Sequence, residues 1–194
     1  MKGRKEKKRF WIILFMVVIM IGTSFSFVFF GFSPAEGKVK YGNFLFTLFP
    51  NDNIWVARVS GQDAAFSFLP KEVEGINMSL ELISKLQGKL EIDATYDINS
   101  THKESIALAY HQLGLTLAAY GVYLRQGFTS NNTFNLPVIR CSDATANVPV
   151  IYFRHANSTK IYSENSCIIA EAPSGIGFIR IKDRLLYGML GVMK

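Results

Sequence analysis

The stretch of residues 10–32, FWIILFMVVIMIGTSFSFVFFGF, constrains the architecture of this chain more than any other feature, because it carries no charged side chain. A helix rises 1.5 Å per residue, so this stretch would extend about 34 Å, which is enough to cross the ~30 Å hydrocarbon core of a bilayer. The stretch therefore predicts a transmembrane helix. The rest of the chain must be interpreted according to the side of the membrane on which it lies.

Basic residues are concentrated before this stretch. Residues 1–9 contain six basic residues and one acidic residue, and removing them from the totals of 21 and 15 leaves 15 basic and 14 acidic residues. Such a basic tail predicts a cytoplasmic N-terminus, and it suits contact with the anionic head groups of the bilayer. The near balance of charge after residue 9 argues against a nucleic-acid-binding function.

A cleavable secretory signal is the alternative interpretation of the N-terminal region. The apolar part of a signal is usually about 7–15 residues long and is followed by a small-residue cleavage site, whereas this stretch is longer and no A-x-A site follows it. An uncleaved anchor is favoured. In either case we expect residues 33–40 to be a short linker and residues 41–194 to fold as an extracytoplasmic domain at the cell membrane.

Two further features suit an extracytoplasmic location. Cys141 and Cys167 are the only cysteines, and in an oxidising compartment they can form a disulfide worth roughly 3–4 kcal/mol. Buried free thiols are the alternative. Four N-x-S/T sequons fall at predicted turns, where N-glycosylation is sterically possible, although unmodified polar turns give the same pattern. The sequons are at Asn77, Asn99, Asn131 and Asn157.

The first part of the predicted domain reads as an antiparallel meander. Residues 41–49, 54–59 and 65–69 are rich in aromatic and β-branched residues and are separated by turn-forming residues. A short helix at 80–87 follows, with Ser79 as its N-cap.

A parallel unit is predicted next. Residues 89–98 alternate strictly, which predicts a strand with one solvated polar face. A capping box at Thr101 opens a long helix that extends to Gln126, and residues 136–141 form the next strand. This β-α-β order predicts that the two strands are parallel. Residues 106–124 are apolar nearly all round, so this helix is either buried between layers or, less favoured because of its glycines and tyrosines, a second membrane span.

The last part of the chain predicts a hairpin from residues 148–154 and 159–162, then a strand at 167–172. Residues 178–182 either extend that strand or form one more. A final helix at 184–192 would be capped by Asp183. The predicted fold class is therefore α/β or α+β with a mixed sheet.

Candidate chemistry is sparse. The acidic face formed by Glu91, Asp93 and Asp97 resembles a set of calcium ligands, but it lacks the glycine-containing loop of a calcium motif, and a solvated strand face gives the same pattern. Asp143 is a further candidate ligand. Cys141, Asp143 and His155 could serve a thiol enzyme as nucleophile, carboxylate and base, but a disulfide would consume the nucleophile. No strong catalytic or phosphate-binding motif is present, so the sequence predicts no cofactor and disfavours an enzyme.

Two segments carry a resemblance. LPVIRCSDAT at residues 136–145 and IKDRLLYGMLGVM at residues 181–193 resemble segments of small membrane-anchored archaeal proteins of unassigned function. The resemblance implies an N-terminal anchor and an external domain. It implies no catalytic residue, fold or ligand.

Three functions are consistent with these features. The favoured one is a membrane-anchored binding or scaffolding domain with a protein partner in the membrane or envelope. The second is a membrane-tethered hydrolase or transferase with a site near Asp97 and residues 141–143, because open α/β sheets bind ligands at the carboxyl ends of their strands. The third is a structural subunit that assembles through the small residues Gly22, Ser24 and Ser26 of the membrane helix.

Overall fold

The computed structural model describes Met16 and residues 37–193. The predicted basic tail at 1–9, the transmembrane helix at 10–32 with its small residues, and the linker residues 33–36 lie outside the described residues, apart from Met16. Among the described residues, no helix is both long enough and apolar enough to span a bilayer. Residues 106–124, the candidate for a second span, are divided between a helix and a strand.

The described chain begins with a four-stranded antiparallel sheet, here called the meander sheet. Its strands are β1 (Lys38–Tyr41), β2 (Phe44–Phe49), β3 (Ile54–Val59) and β4 (Gln62–Phe66), in the order β1-β2-β3-β4. The predicted meander is confirmed, and β3 has the predicted bounds. The strand predicted at 41–49 is in fact a hairpin that begins inside the predicted linker, because Gly42, with φ of 57°, turns the chain.

Strand β4 ends three residues earlier than predicted. The backbone N–H groups of Ser67 and Phe68 donate to Asp183 Oδ2, at 3.0 and 2.8 Å, instead of to a neighbouring strand. Two short helices follow, α1 (Pro70–Val73) and α2 (Leu80–Leu86). The predicted cap of α2 is confirmed, since Ser79 Oγ accepts from the backbone N–H of Leu82 at 3.2 Å.

The second sheet is mixed and has five strands, here called the mixed sheet. Its members are β5 (Glu91–Tyr96), β6 (Tyr123–Phe128), β7 (Val150–His155), β8 (Lys160–Glu164) and β9 (Cys167–Ala172). The strand order is β6-β5-β7-β9-β8; the first four strands are parallel, and β8 is an antiparallel edge strand.

The predicted β-α-β unit exists, but its second strand was wrongly identified. Helix α3 spans Lys103–Ala119, and β6 at 123–128 is the parallel partner of β5. The helix ends before the predicted Gln126 because Gly121, with φ of 74°, reverses the chain and the β-favouring Val122 and Tyr123 follow. The start also differs, since His102 and not Thr101 is the N-cap, and it makes no side-chain capping bond.

The predicted strand at 136–141 forms only one isolated bridge, between Val138 and Phe128. The predicted hairpin of 148–154 with 159–162 is also wrong, because β9 lies between β7 and β8 and pairs with both. A local pattern shows that each segment is extended but does not show which segments pair. The strand predicted at 167–172 is confirmed as β9.

Residues 178–182 are helical, contrary to the prediction of a strand. They belong to α4 (Gly175–Met189), whose buried Phe178, Ile181 and Leu185 recur at helical spacing. Asp183, the predicted cap of a shorter helix, lies inside α4 and is fully buried.

Helices α3 and α4 form a layer between the two sheets. On α4, Tyr187 stacks on Phe66 of the meander sheet with ring centroids 4.3 Å apart, and Phe178 packs against Phe153 of the mixed sheet. On α3, Tyr110 packs against Phe153, and the Tyr120 hydroxyl donates to Val59 O at 3.1 Å. The expectation that the long apolar helix is buried between layers is therefore met, although one side of α3 remains exposed.

Candidate functional site

The centre of the predicted acidic face of β5 is buried, whereas Asp97 beyond the end of the strand is exposed. Asp93 is 1% exposed, and its carboxylate accepts two bonds from Arg125, at 2.7 Å from Nε and 2.6 Å from Nη2. Parallel pairing aligns Asp93 with Arg125, and Glu91 lies 3.4 Å from the same guanidinium. This bidentate ion pair compensates the buried charge, so these two carboxylates hold the edge strand β6 against β5.

The other two predicted acidic residues stabilise turns. Asp97 Oδ1 accepts from the backbone N–H of Asn99 at 2.9 Å, and Asp143 Oδ2 accepts from that of Arg140 at 2.8 Å. In the part of the chain that the structure describes, no three His, Cys, Asp or Glu side chains are grouped so that they could hold a metal ion. Glu91 and Asp93 thus share Arg125, whereas Asp97 and Asp143 each bind a neighbouring backbone N–H.

Cys141 and Cys167 form a disulfide, with their Cα atoms 5.1 Å apart. Cys167 begins β9, and Cys141 begins a 3-10 turn in the segment that crosses the mixed sheet. A small apolar cluster beneath this segment includes Ile139, Val150 and Ile169. The crossing segment covers the sheet face opposite to the helices, which explains why the predicted polar face of β5 is buried.

The residues of the predicted enzyme site lie at opposite ends of the mixed sheet. Asp97 follows the carboxyl end of β5, whereas Cys141 is bonded to the residue that begins β9, at the amino end of the parallel strands. The carboxyl end instead brings together His102 and His155, with ring centroids 5.1 Å apart. Among residues 37–193, neither imidazole hydrogen-bonds to a serine or cysteine side chain.

All four sequon asparagines are exposed and lie outside the helices and strands. This placement meets the steric requirement for a glycan, which needs an asparagine that projects into water. Asn99 follows β5, and Asn157 lies between β7 and β8.

One apolar cavity was not predicted from the sequence. It is an apolar cleft of about 290 Å³ between α3 and the edge strand β4, here called the α3–β4 cleft. Leu108 and Leu115 of α3 form one wall and are 49% and 62% exposed. Ile54 and Phe66 of the meander sheet form the other wall.

Polar groups lie among these apolar walls. Lys182 lines the cleft although its side chain is only 2% exposed, and its Nζ lies 2.5 Å from Asp183 Oδ1. Gln112 also lines the cleft, and its buried Oε1 has no hydrogen-bond partner. An ammonium has three N–H donors, so Lys182 retains donors beyond its contact with Asp183. The cleft therefore offers both a donor and an acceptor to a ligand.

Burial controls the electrostatics beside the cleft. Desolvation raises the pKa of Asp183 to about 6, against the opposing effects of Lys182 and the backbone N–H groups of Ser67 and Phe68. At neutral pH the carboxylate is charged and pairs with Lys182. Removing one member of such a pair leaves a buried charge without compensation, which typically costs about 3–5 kcal/mol.

A second buried carboxylate was also missed. Glu171 is 3% exposed and accepts hydrogen bonds from Arg154 and, at 3.1 Å, from the Tyr162 hydroxyl, while Lys160 Nζ lies 3.0 Å away. Burial alone would raise the pKa of Glu171, but hydrogen bonds from Arg154, Lys160 and Tyr162 lower it below its usual value. This network ties the edge strand β8 to β7 and β9.

The sequence contained a weak signal for Lys182 and Asp183. Both lie within a periodic apolar segment in which Phe178, Ile181 and Leu185 mark the buried face, so two charges there conflict with the pattern. The signal did not show that α4 lies between two sheets.

These features define a class of domain: a disulfide-linked α/β domain with a helical layer between an antiparallel and a mixed sheet, and with an open apolar cleft at the edge of that layer. Comparison with known proteins found no matching family, no matching curated protein and no matching solved structure. The resemblance to membrane-anchored archaeal proteins therefore stays a prediction.

Proposed function

We propose that this protein is a membrane-tethered, extracytoplasmic binding domain, and that the α3–β4 cleft receives an apolar segment of a protein partner. The single observation that carries the cleft assignment is the placement of Lys182 and Gln112, a donor and an unsatisfied acceptor, in an otherwise apolar cleft. Buried polar groups without partners cost free energy, so a ligand that supplies those partners would be favoured.

The chemistry of the cleft fits a polypeptide. A peptide group offers a C=O to the Lys182 ammonium and an N–H to Gln112 Oε1, while an apolar side chain packs between Leu108 and Leu115. A volume near 290 Å³ is at the lower end of the range of ligand sites, which suits one or two side chains better than a long acyl chain.

Three observations support the location. The uncharged stretch at 10–32 follows a basic tail, as in an anchor with its N-terminus in the cytoplasm. The Cys141–Cys167 disulfide is typical of oxidising compartments. The four sequon asparagines are exposed outside regular structure.

The geometry favours binding over hydrolysis. The disulfide occupies the Cys141 thiol, and Asp143 is bound to the backbone of Arg140. The alternative of a structural subunit depends on the small residues of the stretch at 10–32, which lie outside the described residues. The binding domain is therefore the function that the described geometry supports best.

The cleft can be tested with a small probe, N-acetyl-leucine amide, which carries the same donor, acceptor and side chain as a peptide. Ligands of this size bind with about 0.3 kcal/mol per heavy atom or somewhat more, so we expect a dissociation constant near the millimolar range. Saturation-transfer NMR on the full chain in nanodiscs measures this binding through the leucine methyl groups.

Exposed side chains provide matched variants for this test. Leu108→Ser with Leu115→Ser should reduce saturation transfer severalfold, and Gln112→Leu should reduce it by removing the acceptor. Leu80→Ser should leave it unchanged, because Leu80 is 67% exposed on α2 and lies away from the cleft. Equal transfer in all variants would contradict the assignment, and tighter binding of decanoate than of the amide would assign the cleft to a lipid.

A further inference from the structure

The outer face of the meander sheet is an uncovered surface of mixed apolar and basic character. The inner face packs on α4, whereas Leu45 and Phe49 on the outer face remain 53% and 50% exposed. About half of each of these two side chains is therefore accessible to solvent. The pairing of strands places the following residues on this outer face: Lys38, Lys40, Leu45, Thr47, Phe49, Val56, Arg58 and Asp63. Ile54 and Ala65 have the same register but lie at the edge of the sheet, where they line the α3–β4 cleft.

Charge on this face is predominantly positive. Lys38 is paired in register with Thr47, and Lys40 with Leu45, so two ammonium groups flank the apolar surface of β2. Both lysines are exposed. Arg58 lies 3.9 Å from Asp63, an exposed ion pair that contributes no net charge. The two lysines of β1 therefore give the face its net charge.

The position of β1 in the chain limits where this face can lie. The predicted anchor ends at Phe32, and β1 begins at Lys38. Five intervening residues can extend at most about 18 Å, because an extended chain advances at most ~3.6 Å per residue. If the anchor spans the bilayer, the strand that carries Lys38 and Lys40 must start near its surface.

From these observations we propose that the outer face of the meander sheet lies against the surface of the lipid bilayer. This inference rests on the proposed membrane tether but not on the α3–β4 cleft. Lys38 and Lys40 contact anionic head groups, while Leu45 and Phe49 enter the interfacial region, the combination by which amphipathic surfaces bind membranes. The domain then lies flat on the bilayer, with the mixed sheet directed away from it.

The test uses the full chain reconstituted in vesicles of phosphatidylcholine mixed with phosphatidylglycerol. A fluorophore is attached through Thr47→Cys on the outer face, and separately through Asn147→Cys in the exposed segment that covers the mixed sheet. Nitroxide-labelled lipid should quench the label at position 47 strongly and the label at position 147 weakly. Equally weak quenching at both positions would overturn the proposal.

Charge variants test the role of the lysines. Each basic residue near an anionic surface contributes on the order of 1 kcal/mol, so Lys38→Gln with Lys40→Gln should weaken the docked state about 30-fold and reduce quenching at position 47. Lys71→Gln with Lys103→Gln removes the same charge from two exposed helical positions and should leave quenching unchanged. Equal effects of the two pairs would refute a specific role of the β1 lysines.

Alkaline carbonate extraction tests the membrane tether independently of the proposal that the meander sheet faces the bilayer. Release of the chain from the vesicles would refute the tether on which both proposals depend. A chain that resists extraction, but whose label at position 47 is not quenched, would refute the bilayer-facing sheet and leave the tether intact.

Discussion

Removing the Cys141–Cys167 disulfide should destabilise the domain by an amount that the chain geometry determines. The two residues are 26 positions apart, so the bond closes a loop of about 27 residues. The chain-entropy relation for such a loop predicts a loss of about 3.5 kcal/mol at 25 °C. For domains of this size, each kcal/mol changes Tm by about 2–4 °C, so we expect Tm to fall by about 7–14 °C.

The assay is thermal and urea unfolding of the full chain in detergent, followed by circular dichroism, with and without reductant. Reduced wild type and the variant Cys141→Ser with Cys167→Ser should agree with each other and should both fall below oxidised wild type. Addition of reductant to the double variant serves as the control and should change nothing. A loss below about 1 kcal/mol, or an intact mass showing two free thiols in protein from an oxidising compartment, would refute the reasoning.

Two further predictions concern buried polar groups. Burial raises the pKa of Asp183 from 3.8 to about 6, so the folded state binds a proton that the unfolded state releases. The free energy of unfolding should therefore decrease by up to about 3 kcal/mol between pH 4 and pH 6, and Asp183→Asn should lose this slope in urea titrations; equal slopes would contradict it. The Tyr110 hydroxyl accepts from the backbone N–H of Gly127 at 2.8 Å and donates to Ala94 O. Tyr110→Phe should therefore cost about 1–3 kcal/mol in urea unfolding, whereas Tyr123→Phe, at a side chain 64% exposed, should cost almost nothing; similar losses would refute the argument.

The local sequence pattern was sufficient to predict elements that depend on residues close together in the chain. Strands β3 and β9 have the bounds that their composition predicts, and Ser79 caps α2 as its position before an apolar run indicates. Turns and caps depend on residues a few positions apart, so one sequence contains the needed information.

The local sequence pattern did not predict which strands pair with each other. Residues 136–141 are as apolar as a buried strand, yet β6 at 123–128 pairs with β5 and the later segment crosses the sheet face. The same crossing buries Asp93, whose alternating pattern predicted a solvated face. A strand pattern specifies which side chains share a face, but only the tertiary structure decides what covers that face.

The candidate site shows the same division. The sequence by itself predicted an anchor, identified a cysteine pair able to form the disulfide and located several strands and helices, because hydropathy, spacing and propensity are local properties. Only the tertiary structure placed α4 between two sheets, with Lys182 and Gln112 at the α3–β4 cleft and two lysines on the uncovered sheet face. Those placements depend on contacts between residues far apart in the chain, and such contacts follow from the packing of whole layers.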